Sequence, residues 1–232
     1  MSTKPSHGAE EIRHLGLLRD VQQLLAHALF SLGDKSPATA EAAYLGWAAV
    51  AVNRAAEGYL WLRESYKVDA SKLLVRPALE ATFSAIAVIK KHGFLFRKAY
   101  SEWEEDKKLF VKDAEGEEEA TKALEELKRA FQQSSPGCPV ECKRVTVRDA
   151  ADVAGFLESY ESAYRIYCQF THGAMRAVLG HLDDTDTIDT PIVTWCVLQM
   201  LDHLQTSTPA QIPDLVPFRK RLLYPDAQNH VA

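Results

Sequence analysis

An alanine-rich run from Ala38 to about Glu64 constrains this chain to closely packed helices. Ala42, Ala43, Ala48, Ala49, Ala55 and Ala56 have the best helix propensity of any residue type, and their small side chains let neighbouring backbones approach. The bulky residues Tyr44, Trp47, Tyr59, Leu60 and Leu62 are expected to fill the gaps around this central helix. The rest of the chain agrees in period. Ile12, Leu15, Leu18, Val21 and Leu25 form a helical stripe over about 10–31, and no sustained alternation of apolar and polar residues suggests a strand. The fold class read from the pattern is all-α: a single-domain helical bundle over 1–232, with its core at about 10–205.

Further helices are expected over about 69–91 and 94–111, with Gly93 as the stop between them. Pro77 falls inside the first of these, where it should kink or divide it. A charged helical arm or insertion lies near 101–135, within a polar region of about 101–147. Its 112–133 part carries a narrow stripe of Ala120, Leu124, Leu127 and Phe131 among Glu and Lys. It reads as a solvated helical arm, or as a face for a protein partner through the charged 101–133 segment. Helix resumes over 147–157 and again from Glu158 to about Leu179. Asp183 to Asp189 reads as an acidic loop. Thr190 and Pro191 read as the N-cap and first residue of a buried helix to Gln205. A C-terminal tail, 206–232, contains three prolines before Phe218 and is expected to pack across the surface.

With 47% hydrophobic residues the chain can bury a sizeable core. The net charge of −5 argues against a broad nucleic-acid-binding face, though not against a small local basic site. Such a site could gather Lys143, Arg144, Arg148, Arg165 and Arg176. Neither an apolar leader nor a membrane-length apolar run is visible in the sequence, so a cytoplasmic location without membrane association is expected, with the four cysteines as reduced thiols. Cys138 and Cys142 have a rough metal-ligand spacing but no second pair, and Asp183, Asp184, Asp186 and Asp189 lack the glycine and terminal Glu of a calcium loop. No metal and no cofactor are therefore expected.

Chemistry is suggested in Tyr164-Arg-Ile-Tyr-Cys-Gln-Phe-Thr-His172. Arg165 and His172 are seven residues apart, about 20° short of two helical turns, so a continuous helix puts both on one stripe. A guanidinium that grips phosphate and an imidazole that moves protons suit acid–base cleavage of RNA. The alternative is a structural histidine near a helix end, with Arg165 salt-bridged to a glutamate. Arg76 and Glu80, at i and i+4 in an apolar run, read either as a buried pair bracing the fold or as a pair orienting His172 or Arg165 across the bundle. Three functions stay open: a ribonuclease, a non-catalytic helical interaction or scaffold protein, and a small-ligand-binding bundle with Trp47, Tyr59 and Trp61 lining a pocket.

Leu74-Val-Arg-Pro-Ala-Leu-Glu80 followed by the segment ending at His172 resembles a bacterial all-helical family of uncharacterised proteins. In that family an Arg-x-x-x-Glu segment precedes a helix-borne histidine. Cys168 stands where it carries a small hydroxyl residue. The second segment is also similar to the Arg-x(4–6)-His motif of the HEPN superfamily, whose members include metal-independent RNases of toxin–antitoxin and phage-defence systems. The resemblance covers about residues 65–205. It implies a homodimer with its cleft across the interface, RNA as substrate, His172 as acid/base and Arg165 as phosphate ligand. Arg76 and Glu80 match only the pattern of the uncharacterised family; a supporting role for them, with Tyr164 and Cys168, is inferred from the residues rather than implied by the HEPN motif.

Overall fold

The computed structural model describes residues 8–33, 37, 39–171 and 186–224. Four long helices carry the main core: α1 (Ala9–Leu32), α2 (Ala40–Glu64), α3 (Val68–Lys90) and α9 (Asp186–Ser207). Between α3 and α9 the chain forms α4 (Phe94–Phe110), α5 (Ala114–Ser134), α6 (Val147–Ala154) and the single turn α7 (Leu157–Ser159). A π-helical segment (Tyr160–Tyr164) and α8 (Arg165–Thr171) follow, and α10 (Val216–Leu223) closes the described chain. Among the described residues there is no strand, so the fold is all-α.

Packing follows from the small residues. Thr39 caps α2 by accepting from the Ala42 N–H, and Ala48, Ala49, Ala55 and Ala56 are buried. Among the described residues, the α2–α3 contact is the most extensive between two helices. At Gly58 any Cβ would come within 2.9 Å of Leu74 Cδ1, so hydrogen at this position permits the close approach. α9 touches α1, α2 and α3, with Val193, Val197, Met200, Leu201 and Leu204 buried among them.

α3 runs through Pro77 as one helix rather than dividing there. Leu73, whose carbonyl loses its Pro77 donor, lies on the exposed side, where water can serve it. The expected start of the last core helix is corrected. α9 begins at Asp186, and Pro191 lies within it. Thr190 is no cap: it is buried, and its hydroxyl bonds the Tyr59 hydroxyl at 3.0 Å. Asp189 likewise belongs to no solvated loop but is fully buried, and Asp183 and Asp184 lie outside the described residues. Trp47, expected to fill a core gap, is instead 82% exposed.

The polar arm consists of α4 and α5, joined by Trp103 Nε1 donating to the Ala120 carbonyl at 3.0 Å and by the Lys107–Glu117 ion pair. Phe96, Phe131 and Cys138 give it a small core of its own. The α3–α4 turn needs Gly93, with φ of 82° and the Pro139 carbonyl 3.0 Å from where a Cβ would stand. α6 stops at Ala154, earlier than expected, because Gly155 adopts φ of 84°. The C-terminal segment packs back over the bundle as expected, through Arg221–Asp20 at 2.8 Å and an Arg219–Asp202 pair.

One aromatic ring joins the layers. Phe83, fully buried on α3, lies 6.3 Å from Phe156, 6.4 Å from Tyr164 and 6.4 Å from Trp195. Phe83→Ala is expected to cost about 3–5 kcal/mol in urea unfolding, and a loss below about 1 kcal/mol would refute a central role for this ring. His203 on α9 is half-buried, and burial first, then the Lys90 charge, holds its pKa below the ordinary value. The unfolded chain therefore binds the proton more readily, and stability present above about pH 6.5 is lost as pH falls. Replacing His203 with Gln should flatten this acidic limb of the stability curve; an unchanged slope would contradict it.

Candidate functional site

The site builds outward from Phe83. Against it the π-helical segment presents Tyr164, which is buried and stacked on Tyr160 with ring centroids 5.0 Å apart. π-helical turns are rare and concentrate at functional positions. The Tyr164 hydroxyl accepts from Arg76 Nε at 3.3 Å, and the Arg76 guanidinium lies 5.8 Å from the Tyr164 ring. Arg76 is 3.9 Å from Glu80, and Cys168 lies close enough to act on the same tyrosine. Burial foremost, with the Glu80 charge and Cys168 adding, pushes the Tyr164 hydroxyl far above its ordinary pKa, against the opposing Arg76 hydrogen bond. It stays protonated throughout the physiological range.

Arg76, Glu80, Tyr164 and Cys168 thus meet in one cluster, although α3 and α8 are far apart in sequence. The expected buried Arg76–Glu80 brace is corrected in one respect. Both side chains are partly exposed and the pair is at the outer limit of an ion pair, while Arg76 donates a hydrogen bond to Tyr164. Glu80 also lines a cleft of about 440 Å³ with Ser84, Lys98, Glu102, Asp106 and Arg144.

Arg165 opens α8 on the solvent side of this cluster, with its side chain 66% exposed. Its Nη1 donates to Glu161 Oε2 at 2.8 Å. Arg148 of α6, 62% exposed, donates through Nε to the other oxygen, Oε1, at 3.2 Å. The Arg165 hydrogen bond is the leading cause that holds the Glu161 carboxyl below the ordinary carboxylate range, and Arg148 adds to it. The remaining basic candidates diverge. Arg144 is turned to Glu104 and Glu105 of the arm, and Arg176 lies outside the described residues. His172 also lies outside them; the last described residue of α8 is Thr171.

Beneath α8 is a buried polar joint. Tyr167, fully buried, donates its hydroxyl to Asp189 Oδ1 of α9. The neighbouring Thr190 meets Tyr59, so two hydroxyl contacts pin the start of α9 to α8 and α2. Sequence reasoning missed this joint. The one available signal was an aspartate close before a run, from Ile192, that is apolar on most sides.

The other candidates do not converge. Cys138 is buried in the arm core and Cys142 is exposed, and among the described residues no group of three His, Cys, Asp or Glu comes together to hold a metal. Cys196, fully buried, has its thiol pKa pushed up to about 12 by desolvation, so it stays an unreactive thiol. Tyr59 lies in the core, whereas Trp47 and Trp61 face solvent, so the three aromatics line no common pocket. Among the described residues no helix is long and apolar enough to cross a membrane.

A family model described as a family of unknown function (DUF5677) matches residues 41–189. These residues include α2, α3, the arm, the Tyr164 cluster and Asp189. Comparison with curated proteins and comparison with solved structures return no match.

Removing the Tyr167 hydroxyl leaves a buried carboxylate one donor short. Tyr167→Phe is expected to lower stability by about 1–3 kcal/mol in urea unfolding, the range for leaving a buried polar group short of a partner. An unchanged midpoint would mean that Asp189 does not depend on this bond.

Proposed function

The chain belongs to the DUF5677 family, whose function is unknown, and from the residues of its site we propose that it is a metal-independent endoribonuclease of the HEPN type. In this reading it is a defence or toxin-type effector, cytoplasmic and homodimeric, and needs no cofactor. Arg165 binds the scissile phosphate and stabilises the charge that develops on it. His172 acts as acid/base: a ribose 2′-hydroxyl loses its proton and attacks the adjacent phosphorus, the bond to the 5′-oxygen breaks, and that oxygen takes up a proton. The products are a 2′,3′-cyclic phosphate end and a 5′-hydroxyl end. Arg76, Glu80, Tyr164 and Cys168 hold the base of α8 in place without touching RNA.

The observation that carries this reading is the setting of Arg165. Its guanidinium is at the surface, where a phosphate can reach it, while the turn before it is anchored to Arg76 and Phe83 through Tyr164. Arg165 is also paired with Glu161, the partner that the structural alternative calls for, so in this reading a phosphate takes the place of that carboxylate. A second reading, a non-catalytic helical interaction protein, is favoured by a different face. There Trp47 and Val50 border a largely apolar cleft of about 510 Å³ with Leu29 and Leu32, and exposed apolar surface of this kind serves partner binding.

Incubation of purified protein with a mixed RNA pool in the presence of EDTA separates the two. The ribonuclease reading expects cyclic-phosphate ends, with His172→Ala and Arg165→Ala each lowering cleavage by about 10²-fold or more while circular dichroism is unchanged. No cleavage by the wild-type chain rejects it in favour of the interaction protein, and cleavage by both variants at the wild-type rate rejects the assignment of Arg165 and His172.

A further inference from the structure

We infer that Arg148 is a second phosphate ligand beside Arg165, and that Glu161 occupies the anion position between them until a substrate phosphate displaces it. This rests on the ribonuclease reading for the identity of the substrate, but the anion site itself stands on geometry. Two guanidiniums from different elements, α6 and α8, converge on the two oxygens of one carboxylate, at 3.2 Å and 2.8 Å. Their donor nitrogens are therefore separated by little more than one carboxylate and its hydrogen bonds. A phosphate fits the same gap with more charge and more acceptor oxygens, and arginine pairs with it through parallel N–H donors.

Three features argue against a mere structural brace. Both arginines are about two-thirds exposed, so water and salt screen the bridge and it opens at little cost. Arg148 stands in the first turn of α6, the end of a helix dipole that disfavours a cation. Finally, α6 does not need Glu161 to hold its position. Thr146 and Asp149 close a capping box at its start, Gly155 ends it, and Ala150, Ala151 and Ala154 are buried in the core. The base of α8 is fixed separately by Tyr164 and Tyr167. Both guanidiniums thus keep their mountings when Glu161 leaves.

The test uses the full-length chain and two probes, inorganic pyrophosphate by calorimetry and a short fluorescein-labelled single-stranded RNA by anisotropy. RNA binding is measured in a His172→Ala background so that the probe survives. Glu161→Gln is expected to tighten binding of both probes about fivefold. Arg148→Ala should weaken both by a similar factor and reduce the salt slope for RNA by about one, with the thermal midpoint unchanged. Arg148→Lys should recover only part of the affinity, because an ammonium lacks the guanidinium fork. The inference is overturned if Arg148→Ala leaves affinity and salt slope unaltered, or if Glu161→Gln weakens binding and lowers the thermal midpoint as loss of a brace would. Wild-type cleavage with no effect of Arg148→Ala removes the clamp and leaves the ribonuclease. Pyrophosphate binding that follows the expected order, without RNA binding or cleavage, keeps the anion site and removes the ribonuclease.

Discussion

The aromatic joint at Phe83 is the contact on which the rest of the molecule depends. Its ring is wholly buried on α3 and meets Phe156 from the α6–α7 connection, Tyr164 from the π-helical segment and Trp195 from α9. Phe156 and Trp195 close the group edge to face, with centroids 4.9 Å apart. Aromatic groups of this size bury large areas and prefer particular geometries, so they fix orientation as well as distance. Without Phe83, Tyr164 loses its wall on the core side and keeps only Tyr160 as a ring neighbour, and the Arg76 hydrogen bond that anchors the base of α8 loses support.

Apolar packing alone would leave α8 and α9 free to slide along their axes, because hydrophobic burial is largely non-directional. The hydroxyl contacts of Tyr167 with Asp189 and of Tyr59 with Thr190 supply the missing direction. A fully buried carboxylate is costly unless it is hydrogen-bonded, so the bond to Tyr167 constrains the placement of α8 relative to α9. The two helices that flank residues 172–185 are thereby held in one register. Above this rigid floor the chemistry is arranged at the surface. An acidic protein with a net charge of −5 gathers two arginines around a single glutamate beside the Tyr164 cluster, and elsewhere its cations, such as Arg144 and Lys107, are spent on neighbouring carboxylates.

Much of the fold was legible because helical period is a local property. The stripe of Leu15, Leu18, Val21 and Leu25 did place α1, and Gly93 did mark the α3–α4 turn. The polar arm was legible for the same reason. The pairing of Arg165 with a glutamate also lies within reach of sequence, since Glu161 is its i−4 neighbour. Where local rules competed with long-range contacts, the reading failed. Thr190 and Pro191 have the form of a helix start, yet the helix begins earlier because Thr190 and Asp189 are drawn inward by partners on α2 and α8. Trp47 has the size of a core residue, yet its stripe of α2 faces outward, and composition does not tell in which direction a stripe points.

By itself, then, the sequence determined an all-helical chain, the order of its helices and the separation of a charged arm from an apolar bundle. Each of these depends on neighbours within a few turns. It also put Arg76, Glu80, Tyr164 and Cys168 forward as one group, but without contacts between them. Only the tertiary structure decided that Arg76 bonds Tyr164 rather than closing tightly on Glu80, that Asp189 is a core residue, and that Arg148 joins Arg165 on a single carboxylate. Those partners are separated by many residues, and they meet because α3, α6, α8 and α9 pack around Phe83, a geometry that no local pattern encodes.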